Sequence, residues 1–415
     1  MKDMIYEIKN DYKKIWWNIS KEPIEIGRST GLIEKLKTQR RVGGYIKKSF
    51  NQLEICPVDK KNQCQWREEM NKLMGDLGDF MGFEDQGLKD IFFDDFFDVT
   101  HEFLNQSKLF DPNIKFDIIG QAMRNVWIMN VIQMLFDMKV EHTPSIFAYS
   151  MLYPYTDNYL DSTEVSIDDK IDINERFGLK LKGEKIEYKN AHEKELFTLV
   201  DMIEGQFSRK EYKDVYESLL LIHNAQERSL FQQRGIISPY ERDIIDISFE
   251  KGGASVIADA CLVKGSLSKM EADFMFGYGA LLQLCDDLQD AKTDLKNGHM
   301  TVYSQTAGKW PLDNITNALF NFLNHLIDND KCFNTENGVK IKDLIKKNVM
   351  YLIIEAISQN QELYTKSYIK RIEEQCSVRM NYIKSLGGKL EKRYKRFKNI
   401  YGMAIDDVIL TATNR

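Results

Sequence analysis

Residues 274–290 read FMFGYGALLQLCDDLQD, an apolar run that closes on Asp286, Asp287 and Asp290. Extended upstream through Glu271, Ala272 and Asp273, its apolar residues return at intervals of three and four, the period of a helix buried over a broad face. The same period runs through IGQAMRNVWIMNVIQMLF at 119–136, whereas sustained alternation of period two is missing. The seven prolines, Pro23, Pro57, Pro112, Pro144, Pro154, Pro239 and Pro311, fall mainly among polar and turn-forming residues and punctuate long helix-compatible stretches. The chain is therefore predicted to be all-α.

Its 415 residues, 43% of them hydrophobic, can bury a large core in one helical domain or in one domain with a smaller appendage. We expect a helical segment over 1–110, rich in aromatic residues and joined by the polar stretch CPVDKKNQCQW, to pack on a catalytic bundle over 111–415. A polar turn from about Asn329 to Lys342 should separate the last helices. The basic tail LGGKLEKRYKRFKNIY suits a solvated helix or an oligomer contact, which leaves a homodimer open, more than a lid over the site.

A net charge of −6 without a long basic block argues against nucleic acid as a partner. The six cysteines, Cys56, Cys64, Cys261, Cys285, Cys332 and Cys376, lack the close pairs of zinc sites and read as reduced thiols of a cytoplasmic protein. Early charges in MKDMIYEIKNDYKKIWW do not suit a signal peptide, and no run of about 18 apolar residues suggests a transmembrane segment.

Acids at the end of an apolar helix invite chemistry. Residues four apart lie on one face, about 5–6 Å from each other, so Asp286 and Asp290 can aim at one point while Asp287 turns roughly 100° away. Carboxylates at a helix C-terminus also face the negative end of the macrodipole, which a cation would relieve. Magnesium fits, because it takes one or two carboxylates and leaves its remaining positions to substrate phosphate oxygens and water. Alone, the pattern reads more readily as a solvated helix end, since five-residue acidic patterns arise by chance. Its neighbours argue otherwise: Gln283 stands three residues before Asp286, Gly277 and Gly279 permit close helix packing, and DLKNGHMT follows at 294–301.

A facing helix should supply a second acid cluster, and TDNYLDSTE at 156–164 offers it: Asp157 and Asp161 are four apart, with Glu164 one further step along. Asp286 follows Asp157 by 129 residues, room for helices to run away and return antiparallel. Asp94, Asp95 and Asp98 in FFDDFFD match the same spacing but read as the wet face of an amphipathic helix anchored by phenylalanines. In FEKGGASVIADACLVKG, Lys251 precedes two glycines that allow close helix approach, so its ammonium can meet a phosphate. In AQERSLFQQRG, Arg228, Gln232 and Arg234 stand at helical spacings, and an arginine there could read a diphosphate with both nitrogens. Arg124 and Asn125 either face the same interior or form a structural pair.

LLQLCDDLQD followed by DLKNGHMT resembles the second aspartate-rich motif of the class I isoprenoid synthase superfamily, the trans-isoprenyl diphosphate synthases and their terpene synthase relatives. DNYLD stands where that superfamily has its first motif, with Asn158 in place of the second acid. This short form is similar to the large bacterial (class IB) terpene synthases. His299 occupies the place where a lysine commonly follows the glycine. The resemblance is strongest over 151–301.

It implies a helical bundle around a central apolar active-site cavity, and several magnesium ions bound together with a prenyl diphosphate. Asp157, Asp161, Asp286, Asp287 and Asp290 would hold the metal. Lys251, Arg228, Gln232, Arg234 and Gln283 would bind the substrate, with Lys251 also serving ionisation. Phe274, Phe276, Tyr278, Tyr159 and Trp127 are candidate cavity walls, although ordinary core packing explains any one of them. The implied activity is that of a terpene synthase, a lyase releasing diphosphate and a linear or cyclic terpene.

The alternative is an isoprenyl diphosphate synthase that elongates the allylic substrate with isopentenyl diphosphate. It is disfavoured because STEVSIDDKIDINERFG after Asp161 lacks an arginine pair, and Arg40 and Arg41 match a basic element poorly. A degenerate partner subunit would not need both acid pairs, and a di-iron bundle usually needs Glu-x-x-His on facing helices, which is not evident.

Overall fold

The computed structural model describes residues 1–57, 60–81, 95–161, 165–233 and 242–400. Among them the regular structure is entirely helical. In chain order the helices are α1 (Lys2–Asn18), α2 (Leu32–Glu54), α3 (Lys60–Met81), α4 (Phe96–Phe110), α5 (Phe116–Leu135), α6 (Pro144–Asp161), α7 (Ile167–Leu181), α8 (Ala191–Gln206), α9 (Lys213–Ser229), α10 (Ile244–Lys264), α11 (Lys269–Gln289), α12 (Ala291–Asn297), α13 (Val302–Thr306), α14 (Asp313–Asp328), α15 (Glu336–Gln359), α16 (Lys366–Gln375) and α17 (Met380–Ile400).

The centre is the antiparallel pair α10 and α11, joined by a short turn at Gly265–Ser268. Helix α10 packs also on α5, α6 and α9, while α11 packs on α14 and α15. Both central helices are buried on nearly every side, which is why their apolar residues fill the whole circumference rather than one stripe. Glycine sets their separation. A Cβ on Gly252 would lie 2.3 Å from the Gly279 carbonyl oxygen, and one on Gly279 only 2.1 Å from that of Gly252. The two backbones touch, as the glycines predicted.

The first helix belongs to the same core. Ile5, Ile8, Tyr12 and Trp16 line its inner face. Tyr12 lies 5.8 Å from Phe322 edge-on, Trp16 crosses Phe249 at 6.3 Å, and Gly277 leaves room for the Tyr12 hydroxyl. The FFDDFFD acids follow the amphipathic reading where they are described: Phe96 and Val99 are buried in α4 and Asp98 is exposed, while Asp94 lies outside the described residues.

Two expectations need correction. Pro154 does not punctuate a helix but sits inside α6, one turn before Asp157, where burial against its neighbours outweighs the lost backbone bond. The turn expected over 329–342 is shorter, because Thr335 caps α15 by accepting from the Gly338 amide and the helix is already under way at Glu336.

None of the six cysteines is in a disulfide. Among the described residues no helix is long and apolar enough to cross a membrane.

Candidate active site

Helix α11 begins on a capping box between Ser268 and Glu271 and ends at Asp290. The helical hydrogen bonds nevertheless run on: the Asp290 amide donates to the Asp286 carbonyl at 2.9 Å, and the Asp294 amide to the Asp290 carbonyl at 2.8 Å. Asp286, Asp290 and Asp294 therefore follow one another on one face at intervals of four, continuing into α12. Gly298 then stops α12 in the left-handed conformation at φ 73°, which costs glycine nothing. Gln232 latches the following loop: its carbonyl accepts from the Met300 amide at 2.9 Å and its side-chain amide donates to the Met300 carbonyl at 3.1 Å.

The charges on this face are poorly compensated. Burial and the neighbouring Asp286 raise the Asp290 carboxyl. Asp294 is pushed up to about 7, first by burial and then by Asp287, Asp290 and Asp286, with Lys251 acting in the opposite direction. The signal for Asp294, the first residue of DLKNGHMT, is its spacing from Asp290, which repeats that of Asp290 from Asp286.

Asp287 plays a different part. It is buried, its Oδ2 accepts from Ser248 Oγ at 2.9 Å, and its Oδ1 accepts from Gln283 Nε2 at 2.8 Å. Burial drives its carboxyl up to about 6 against these two hydrogen bonds and the nearby Lys251 ammonium. Gln232 in turn donates to Ser248 Oγ at 3.3 Å. The relay Gln232–Ser248–Asp287–Gln283 ties α10 to α11.

The facing acids lie on α6. Asp157 is half-buried and accepts from Gln226 Nε2 at 3.5 Å. One turn earlier, the Tyr153 hydroxyl is raised by burial, then by Asp157 and by Asp286, while Arg124 opposes the shift. Carboxylates of the two separate motifs thus bear on one hydroxyl. Asn158, in place of a second acid, donates to Gln121 at 3.1 Å. Asp161 ends α6 with its side chain outside the described residues, as are Glu164 and Arg234.

Arg228 is not free to meet a substrate in this conformation. It is ion-paired with Glu250 and, at 3.0 Å, with Asp246. The same two acids take Lys9 at 2.7 and 2.9 Å, and Asp246 also takes Lys13 at 2.9 Å. Among the described residues of the AQERSLFQQRG segment, Gln226 meets the first motif.

The expected wall residues divide. Phe274 and Tyr278 stay inside, Phe276 is wedged against Gly253 beside Tyr12, Tyr159 stacks on His192 at 4.4 Å, and Trp127 is 47% exposed with its indole bonded to Thr100. Trp127 is therefore no cavity wall.

A cavity of about 570 Å³ between Trp16, Trp17, Val302, Trp310 and Ile315 is lined by none of these acids. Of titratable groups among the described residues that cavity is lined only by Lys21 and Asp313, whereas the acidic end gathers several carboxylates. Among the described residues no three Cys, His, Asp or Glu side chains are drawn close enough to grip a metal by themselves. The donor set still fits a hard divalent cation that shares its shell with a ligand: carboxylate oxygens, mutual repulsion raising two of them, and one lysine in opposition.

No protein-family model matches the chain, and no curated protein matches it. The functional reading rests on the site itself.

Proposed function

We propose that this chain is a magnesium-dependent class I terpene synthase, a bundle of the isoprenoid synthase type that ionises an allylic prenyl diphosphate and releases diphosphate with a linear or cyclic terpene. The observation that supports the reading is that Asp157 on α6 and Asp286 on α11 both raise the Tyr153 hydroxyl, after burial. Acids this far apart in sequence that bear on one hydroxyl in an all-helical core suit a divalent cation shared with a diphosphate.

Asp157, Asp161, Asp286 and Asp290 would hold magnesium, with Asp294 adding its charge. When bound, the metal neutralises charge that develops on a departing diphosphate. Lys251 brings a further positive charge to the Asp287–Asp294 edge, suited to a phosphate oxygen. The relay from Gln232 to Gln283 holds α10 and α11 in register, so that Lys251 and Asp286 keep their relation. Tyr153, 41% exposed, presents a protonated hydroxyl beside Asp157.

The test is to incubate the protein with magnesium and allylic prenyl diphosphates of increasing chain length, with and without isopentenyl diphosphate. Inorganic diphosphate and extractable terpene should appear from the allylic substrate alone. Products that lengthen only when isopentenyl diphosphate is present would instead identify an elongating synthase. Asp157→Ala and Asp286→Ala should each abolish turnover with helicity retained, and full activity in either variant would remove the site.

A further inference from the structure

Trp16 and Trp17 are neighbours in the last turns of α1, yet only one of them is inside. Trp16 is buried against Phe249 and Phe322, while Trp17 is 59% exposed. A second indole, Trp310, is 66% exposed and shares with Trp17 the cavity of about 570 Å³ that Trp16, Val302 and Ala318 line from the buried side. Its backbone is firmly set. The Lys309 and Trp310 amides both donate to the Thr306 carbonyl, at 3.2 and 3.0 Å, across a turn in which Gly308 takes φ 77°. Two residues on, the Leu312 amide donates to the Leu363 carbonyl at 2.9 Å. Between these anchors Trp310 and Pro311 both stand exposed.

The apolar surface continues to the edge of the acidic face. A Cβ on Gly308 would lie 3.6 Å from a Leu295 methyl, and Leu295, 44% exposed, directly follows Asp294. Three lysines border this surface: Lys21 on the cavity, Lys309 in the turn and Lys296 beside Leu295. All three are exposed and make no ion pair among the described residues. Of the acids there, Glu22 is exposed beside Lys21, and Asp313 accepts from the Thr365 amide at 3.0 Å and from its hydroxyl at 2.5 Å. The surface is thus basic in a chain whose net charge is −6.

Exposed indoles bordered by lysines suit a lipid headgroup layer. Tryptophan collects at bilayer interfaces, where one end of its ring is apolar and the other wet, and lysine stems lie along apolar surface while their ammoniums reach anionic headgroups. A stable protein interface is depleted of lysine and takes about 20–30 residues a side, whereas this surface offers a handful.

We propose that this surface docks the protein on an anionic lipid bilayer, with Trp17, Trp310 and Leu295 entering the headgroup layer and Lys21, Lys296 and Lys309 meeting its charge. Docking is peripheral, since among the described residues no helix is long and apolar enough to cross. It sets the acidic face beside the bilayer, because Leu295 and Asp294 are adjacent. The inference stands apart from the ionisation reading, and its test needs neither magnesium nor a diphosphate.

The full chain is floated with vesicles of phosphatidylcholine alone or with about 30% phosphatidylserine. Wild type should bind the anionic vesicles at least about tenfold more tightly than the neutral ones. Trp17→Ser combined with Trp310→Ser should weaken that binding at least about tenfold, whereas Trp127→Ser, at an exposed indole outside this surface, should leave it unchanged. Lys21→Gln, Lys296→Gln and Lys309→Gln should each weaken it about fivefold, and they keep the test decisive if the indole pair fails to fold.

Wild type that stays behind with both vesicles overturns the inference, and a dimer that Trp310→Ser splits would then name a second copy as the occupant. Equal binding to neutral and anionic vesicles, or equal loss in Trp127→Ser, overturns it too.

Discussion

Gly279→Ala isolates the contact on which the site is built. The new methyl would stand 2.1 Å from the Gly252 carbonyl oxygen, where ordinary contact begins at 3.4 Å, so α10 and α11 must part by roughly 1.3 Å. The obstacle is backbone, and no side chain can rotate aside. Overpacking of a filled core costs about 1–3 kcal/mol, and this case belongs at the upper end. Alanine returns about 0.5–1 kcal/mol of helix propensity, which leaves a net loss of about 2 kcal/mol.

The same separation would stretch the 2.9 Å bond from Ser248 to Asp287 beyond hydrogen-bonding range and draw Lys251 away from the acids. Stability and diphosphate release should therefore fall together. Urea unfolding gives the first, and a coupled diphosphate assay the second. Gly120→Ala is the control, because nothing lies within 4 Å of its added methyl and the variant should gain about 0.5–1 kcal/mol. A Gly279→Ala protein as stable as wild type would refute the argument that backbone contact sets the spacing.

Three further outcomes can be measured. Asp287, Asp294 and Asp259 have carboxyls raised to about 6, 7 and 8, so the folded chain binds more protons than the unfolded one over that range. Metal-free stability should fall as pH rises from about 4 toward 8, and Asp259→Asn should flatten the upper part of the slope in denaturant titrations. Lys9→Ala removes one of three cations around Asp246, whose carboxyl is held down to about 2 because hydrogen bonds from Lys13 and Lys9 outweigh burial. A loss of about 1–2 kcal/mol and faster proteolysis of α1 are expected, and unchanged protease resistance would mean that the apolar face alone docks the helix. Asp294→Asn should lower magnesium-dependent diphosphate release by about tenfold or more without destabilising the metal-free protein at pH above 7, checked by activity across magnesium concentrations and by thermal melting.

The all-α fold was legible in the sequence because helical period is a local property, written into segments such as 119–136 and 271–290. Pairs four apart, Asp157 with Asp161 and Asp286 with Asp290, were legible for the same reason, as were the glycines of α10 and α11. The fate of each charged side chain was not, since it depends on what another helix brings. Arg228 looked available until Glu250 and Asp246 were seen to hold it beside Lys9. Asp287 looked like its neighbours until Ser248 and Gln283 claimed its oxygens.

Asp259 was one acid in an apolar run until four helices closed around it. Periodicity along one chain fixes which residues share a face. Only packing decides which faces meet, and with that which charges are paired, buried or left to act.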